Sequence, residues 1–470
     1  MIPIIGAMLL ILIIGLVATI ALDERHSRAI ATAASLVVLV IVISVLFNSL
    51  LTGNIVHSEQ YAYYLPSLNV AFEMQFTPIS FALLLMASIV SLAAIYAGNI
   101  EKESPKASSA LLLLFEFAAI GLFTSANFLL FFIFWDIGVV VLFFMIYLFG
   151  SAGRKRAAIK FLIYEILASS LLLLGILMIY FYTPLHSFDL SYIALNFHLV
   201  SQGVQSLIFL ILFFAFLINM PVFPVHLWLP DAHTEASTQG SMALSGILTK
   251  FGGYGMLLLF ATIPIASSFS YYVAILAIIS AFYAAFVLMR QHDIKRVVAY
   301  TTIVEMSIIL IGIASLDSFG TYGAAYGMLA HGFAVAMLFL AAGSVGHLFA
   351  DRDIREVKGV ITTSLSTAYT FLIGTFATTG VPLTAAFIGD ILIFSGAQSA
   401  FGNIGLLPLG ALLITGAFMY FVINKSFLSA KDSSKNVNYI GLSQKVGFGI
   451  LMLAIIIFGI LPFMILKLFT

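Results

Sequence analysis

Apolar runs of about twenty residues recur along this chain, separated by short polar connections. A run of that length forms a helix of roughly 30 Å, enough to cross the hydrocarbon core of a bilayer. Fourteen such spans are predicted, centred near Leu12, Val40, Ala87, Glu116, Val139, Leu171, Leu212, Lys250, Ile275, Ile308, Met337, Leu383, Ile414 and Ala454. The seventh span is followed by a proline-broken tail from Pro221 to Pro230, and the twelfth is interrupted at Gly380-Val381-Pro382. The pattern therefore predicts an all-α polytopic membrane protein of about 14 transmembrane helices, with no soluble domain between them.

Composition agrees. The chain is 62% hydrophobic and 9% charged, with a mean hydropathy of +1.15, whereas about a quarter of a soluble domain is charged. The first run lacks a basic start and reads as a true span, not as a cleavable signal. Without cysteine the chain holds no disulfide and no cysteine-ligated iron–sulfur cluster. The net charge of zero adds little.

The distribution of charge adds more. Of the 20 Lys and Arg residues, 18 fall on the odd-numbered connections. These are Arg25, Arg28, Lys102, Lys106, Arg154, Lys155, Arg156, Lys160, Arg290, Lys295, Arg296, Arg352, Arg355, Lys358, Lys425, Lys431, Lys435 and Lys445. The even-numbered connections, including the long stretches 52–77 and 183–203, carry none. By the positive-inside rule the odd connections are cytoplasmic and both termini face outward, in a plasma-membrane protein. Lys467 lies near the outer end, and one missed span would scramble the alternation.

The remaining cation is Lys250, in the middle of the apolar stretch from Ser237 to Thr262. An ammonium at mid-membrane costs roughly 3 kcal/mol by insertion scales, so such residues are functional candidates by default. Five carboxyls also fall within spans, Glu116, Asp136, Glu165, Glu305 and Asp390, together with His331. Burial disfavours the charged form of acids and amines alike, bringing such groups to where they exchange protons near neutral pH. A sparse row of titratable groups through the central helices therefore suits proton movement and needs no redox centre. Competing readings stay open. Glu116 and Glu165 could lie at a membrane edge, Glu305 could pair with a loop cation, and His331 could be a core histidine donating to a carbonyl. Gly246, Gly252, Gly253 and Gly255 fit close helix packing around Lys250.

Two proline-broken spans five apart run in opposite directions across the membrane, as inverted repeats do, and such breaks point to a transport site. Other chemistry is poorly supported. His226 and His233 are seven apart across a proline, without metal or haem spacing, and His226 with Trp228 reads as part of a shaped turn. No glycine loop cradles a phosphate, and nothing points to a nucleic-acid partner.

The stretch Met220-Pro-Val-Phe-Pro-Val-His-Leu-Trp-Leu-Pro-Asp-Ala-His233, continuing to Gly246-Ile-Leu-Thr-Lys-Phe-Gly-Gly-Tyr-Gly255, resembles the antiporter-like subunits of respiratory complex I, most of all the M type. Asp293-Ile-Lys-Arg-Val-Val-Ala-Tyr300, Ala330-His-Gly-Phe333 and Phe387-Ile-Gly-Asp390 extend the resemblance over nearly the whole chain. It implies a proton channel of two inverted five-helix repeats, here residues 106–265 and 266–430, between N-terminal helices in 1–105 and a last helix in 431–470. It also implies a fifth-span glutamate paired with a seventh-span lysine, and an eighth-span lysine relaying to a group on the twelfth span. By position the last two are Lys250 and Asp390, and the acid on the twelfth span points to the M type. Three positions depart from the pattern. Asp136, in Phe134-Trp135-Asp136, replaces the glutamate; Asn219 replaces the seventh-span lysine; Glu305 stands where histidine is common. Either Asp136 acts with Glu165 or with Lys250 directly, or this half of the path is altered or does not pump.

The resemblance thus implies a proton-translocating subunit of a complex I-like oxidoreductase that performs no redox catalysis itself. Its partners would be other membrane and peripheral subunits, carrying flavin and iron–sulfur clusters, and the ion a proton or alternatively sodium. The expected path is Asp136 as coupling acid, Lys250 as central relay and Asp390 as outlet, with His331 bridging and Glu165 and Glu305 beside it. A cation/proton antiporter subunit, a membrane-bound hydrogenase subunit and a non-pumping structural subunit are the other classes.

Overall fold

The structure, a computed structural model, describes residues 3–53, 57–65, 70–97, 104–430 and 438–469. Lys102, Lys431 and Lys435 of the charge pattern lie outside the described residues.

Among the described residues fourteen helices are long and apolar enough to cross a membrane. The first six are α1 (Ile4–Ala21), α2 (Glu24–Thr52), α3 (Pro78–Ala97), α4 (Pro105–Thr124), α5 (Phe128–Phe149) and α6 (Arg154–Tyr182). After the short α7 (Leu190–Asn196) the seventh span breaks into α8 (Gln202–Asn219) and α9 (Trp228–Glu235). The eighth is α10 (Thr238–Ala243) and α11 (Thr249–Thr262), joined by a π-helical turn at Leu244–Leu248. Next come α12 (Ala266–Leu288), α13 (Ile294–Ala314) and α14 (Ser318–Phe349). A single turn, α15 (Val360–Thr363), precedes the broken twelfth span, α16 (Leu365–Thr378) and α17 (Ala385–Phe401). The chain closes with α18 (Pro408–Val422), α19 (Leu442–Ile460) and the short α20 (Phe463–Phe469).

The helix starts are written in the sequence. Ser104, Asn127, Ser237, Asp293, Asp317 and Ser364 each cap a span, accepting from backbone N–H groups that have no partner within the helix. The breaks follow from proline. Pro221 and Pro224 follow Asn219, and Pro382 follows Gly380, whose φ of +63° suits glycine. Trp228 donates its indole N–H to Ile218 O at 2.9 Å, bracing the first break from below.

One feature lies beyond the all-α expectation. The connection between α2 and α3 holds an antiparallel hairpin, β1 (His57–Leu65) and β2 (Val70–Phe76), with His57 opposite Phe76. Glu59 on β1 accepts from the N–H groups of Ile5 and Gly6 at 2.9 and 3.1 Å, capping α1.

Burial identifies the centre. The hydrophobic windows of α13 and α14 are 100% buried and that of α10–α11 is 94% buried, against 33% for α1, α2 and α6. Leu10, Ile14, Val17, Leu36 and Val40 of α1 and α2 are exposed, an apolar surface suited to lipid. Residues of the fifth, ninth, eleventh and thirteenth connections line one cavity of about 550 Å³, so these odd connections meet on a single basic face. There Asp231 of α9 pairs with Lys160 of α6 at 2.7 Å and Arg296 of α13 at 3.3 Å. All three are about one-third exposed. Asp231→Asn is expected to lower stability by no more than about 1 kcal/mol, read as a small shift in thermal unfolding midpoint.

Candidate functional site

Lys250 sits twelve residues into its span and is 0% exposed. The π-helical turn before it decides what it meets. Thr249 N–H bonds to Leu244 O, five residues back, which leaves Ser245 O turned toward side chains. That carbonyl accepts from Thr249 Oγ1 at 3.0 Å and from Lys250 Nζ at 2.5 Å. On its other side Lys250 Nζ lies 2.6 Å from Nδ1 of His331 on α14. Two nitrogens at that distance hold one hydrogen between them, so one of the pair must act as acceptor. A proton can therefore pass directly between amine and imidazole. The core-histidine alternative for His331, donation to a carbonyl, is not the arrangement found. Its Nε2 is buried with no hydrogen-bond partner.

Glu305, near the middle of α13, lies within electrostatic reach of both Lys250 and Asp390. Its carboxyl is thus turned to the interior groups and not to a loop cation. Asp390, on α17, is 8% exposed and lies against the break in its span. A Cβ at Gly380 would come within 2.3 Å of Asp390 Oδ2, so the glycine leaves room for this carboxyl. Lys250 and His331 are therefore in contact, with Glu305 within electrostatic reach of Lys250 and Asp390, on the most deeply buried helices and one broken one.

Asp136 and Glu165 form a second group. Asp136, on α5, is half-buried, and its Oδ1 accepts from Ser169 Oγ of α6 at 2.5 Å. Glu165, one turn earlier on α6, is 0% exposed and within electrostatic reach of Asp136. Its Oε2 accepts from Asn219 Nδ2 at 3.1 Å, and its Oε1 is buried without a partner. Asn219 Oδ1 in turn accepts from Gly252 N–H of α11 at 2.8 Å. That backbone donor fixes the amide the right way round, leaving Nδ2 only for Glu165. Residues two apart on a helix do not share a face, so Asn219 meets α11 away from the Lys250 side chain. Among the described residues no hydrogen bond or ion pair joins Asp136 to Lys250. Asp136 lies within electrostatic reach of Glu165.

Glu116 is buried at the middle of α4, not at a membrane edge, facing Ser35 of α2. His233 was passed over on the sequence because its spacing from His226 fits no metal. It is 0% exposed, stacks on Phe339 with centroids 4.2 Å apart, and lies within electrostatic reach of Lys250, His331 and Lys295. Lys295 lines cavities of about 550 and 480 Å³ at the basic face, and its Nζ donates to Ala236 O at 2.8 Å. The signal for His233 lay in its motif, yet only tertiary packing sets its neighbours. His226 packs against Phe223 and Tyr283 near the first break, in keeping with its reading as part of a turn. Among the described residues no three His, Asp or Glu side chains are grouped as metal ligands.

The fold and these buried groups define a polytopic membrane protein with titratable side chains inside its helix bundle. Residues 125–415 match the family model described as NADH:quinone oxidoreductase/Mrp antiporter, transmembrane. The chain belongs to that family. It is 36% identical over 363 residues to an NADH-quinone oxidoreductase subunit M of Rickettsia bellii, covering 76% of this chain and 73% of that one. It is 30% identical over 411 residues to the F(420)H(2) dehydrogenase subunit M of Methanosarcina mazei, covering 85% and 82%. In fold it is similar to a chain of respiratory complex I from Thermus thermophilus, with a TM-score of 0.89 at 23% identity, covering 98% and 96%. A chain of an archaeal membrane-bound sulfane sulfur reductase is also similar, with a TM-score of 0.86 at 24% identity, covering 97% and 76%.

Proposed function

We propose that this chain is the proton-translocating M-type membrane subunit of a redox-driven complex of the complex I kind. The observation that carries the reading is the fully buried Lys250 in hydrogen-bonding contact with His331, with Glu305 within electrostatic reach of both Lys250 and Asp390. A proton held at Lys250 passes to His331, and movement of the Glu305 and Asp390 carboxyls sets which group keeps it. The break beside Asp390 opens the helix to water, where irregular backbone is tolerated only next to water or protein. Asp136 and Glu165 form the input site of the other half. The basic face is cytoplasmic by the positive-inside rule, and both termini face outward. Residues 106–265 and 266–430 act as two inverted halves, flanked by 1–105 and 431–470.

Driving energy comes from electron transfer in partner subunits that hold flavin and iron–sulfur clusters. The names of the subunit M relatives, an NADH-quinone oxidoreductase and an F(420)H(2) dehydrogenase, support a redox partner. Mild extraction from the native plasma membrane is expected to bring down iron–sulfur and quinone-site subunits. In vesicles that assembly should acidify one compartment when given an electron donor, without a sodium requirement. Recovery with small membrane subunits only, free of iron and exchanging sodium for protons, would overturn the reading in favour of an antiporter. A nickel-containing partner would favour the hydrogenase class.

A further inference from the structure

We propose that Ser169 relays a proton between Asp136 and Glu165, with Asn219 as the positioning residue that holds Glu165 beside α11. The inference rests on the proposed proton path and names how its first site works without the lysine that the family resemblance implies at position 219. Ser169 and Glu165 are four residues apart on α6, so they share a face with about 5–6 Å between their Cβ atoms. Ser169 Oγ donates to Asp136 Oδ1 at 2.5 Å and makes no hydrogen bond to Glu165. The fully buried Glu165 Oε1 has no partner, so the relay forms when a rotamer change brings Ser169 Oγ and Glu165 Oε1 together.

The transfer balances as a simple exchange. A protonated Asp136 gives its proton to Ser169 Oγ while the hydroxyl's own hydrogen passes to Glu165 Oε1. Asp136 ends as the carboxylate, Glu165 as the acid, and the hydroxyl is restored. Asp136 is the half-buried member and Glu165 the buried one, so the step carries a proton inward from the α5–α6 face. Asn219 serves this arrangement in a way lysine could not. Its Oδ1 is taken by Gly252 N–H and its Nδ2 by Glu165 Oε2, so one planar amide ties α6 to α11. Lysine has no acceptor for Gly252 N–H, and its ammonium would lock Glu165 as an ion partner.

The test follows hydrogen–deuterium exchange of the Glu165 carboxyl by infrared spectroscopy on the purified complex, which requires no electron donor and no pumping. The Glu165 acid band is first identified by its loss in Glu165→Gln. Ser169→Ala is expected to slow exchange of that band about tenfold, whereas Ser169→Thr, which keeps the hydroxyl, exchanges at the wild-type rate. Asn219→Lys is expected to abolish the acid band. Exchange at the wild-type rate in Ser169→Ala, or equal slowing in the alanine and threonine variants, overturns the relay. So does the absence of any band assignable to Glu165. A normal exchange pattern in a complex that moves no protons would count against the proposed function and leave the relay standing.

Discussion

Lys250→Met in the assembled complex is expected to reduce proton translocation per electron by at least about tenfold while electron transfer in the partner subunits continues. Methionine fills a similar volume in an apolar pocket, so the substitution removes the amine with little change in packing. His331 Nδ1 then loses its neighbour at 2.6 Å, and Glu305 loses the amine within its electrostatic reach. A change that merely removed a structural charge would be repaired by another cation. Lys250→Arg separates the two explanations. Arginine keeps the positive charge but does not release its proton at any accessible pH, so a relay stops and a structural ion partner does not. Both variants are therefore expected to translocate poorly, and wild-type pumping by Lys250→Arg would refute the relay. The measurement is a proton-to-electron ratio in reconstituted vesicles, with assembly checked by subunit composition.

Much of this site could be read from residue types, because charge in an apolar span has few explanations. Lys250, Glu305, His331 and Asp390 stood out for that reason, and the structure brings them together. The helix breaks were equally legible, since Pro221 and Pro382 act on the backbone locally. What could not be read depended on geometry without a compositional signature. The π-helical turn at Leu244–Leu248 shifts hydrogen bonds by one residue and frees Ser245 O for Lys250, yet Leu-Ser-Gly-Ile-Leu reads equally as a helix with a packing glycine. Ser169 is one of many serines, and its contact with Asp136 arises only when α5 meets α6. Asn219 looked like a missing lysine. Its two-sided amide bonding became visible only once Glu165 and Gly252 N–H were in place. The hairpin beside α1 was missed although Val70-Ala-Phe-Glu-Met-Gln-Phe76 alternates as a strand does, because its partner strand, with Tyr63-Tyr64-Leu65, carries no such pattern.

Gly252→Leu is expected to be strongly damaging at the site, and it should act on assembly before it acts on chemistry. A Cβ at Gly252 would lie 2.7 Å from both Met220 N and Phe216 O, and 3.1 Å from Asn219 Oδ1. Two of these are backbone atoms of the broken seventh span and its last turn, so no rotamer change relieves the contact. α8 and α11 must separate, and the Gly252–Asn219 hydrogen bond is lost with the separation. Overpacking alone costs typically about 1–3 kcal/mol for added methylenes, and the orphaned buried amide adds about 1–3 kcal/mol. A fall in the yield of assembled complex and a lowered unfolding midpoint should follow, with Gly252→Ala intermediate between wild type and leucine. Packing at Gly246 provides the internal control, because its Cβ would meet Val90 Cγ1 at 2.9 Å, a side-chain atom that can move. Gly246→Ala should therefore be milder than Gly252→Ala in the same thermal measurement. Equal effects at the two positions would show that close backbone approach at Gly252 is not what holds α11 against the broken helix.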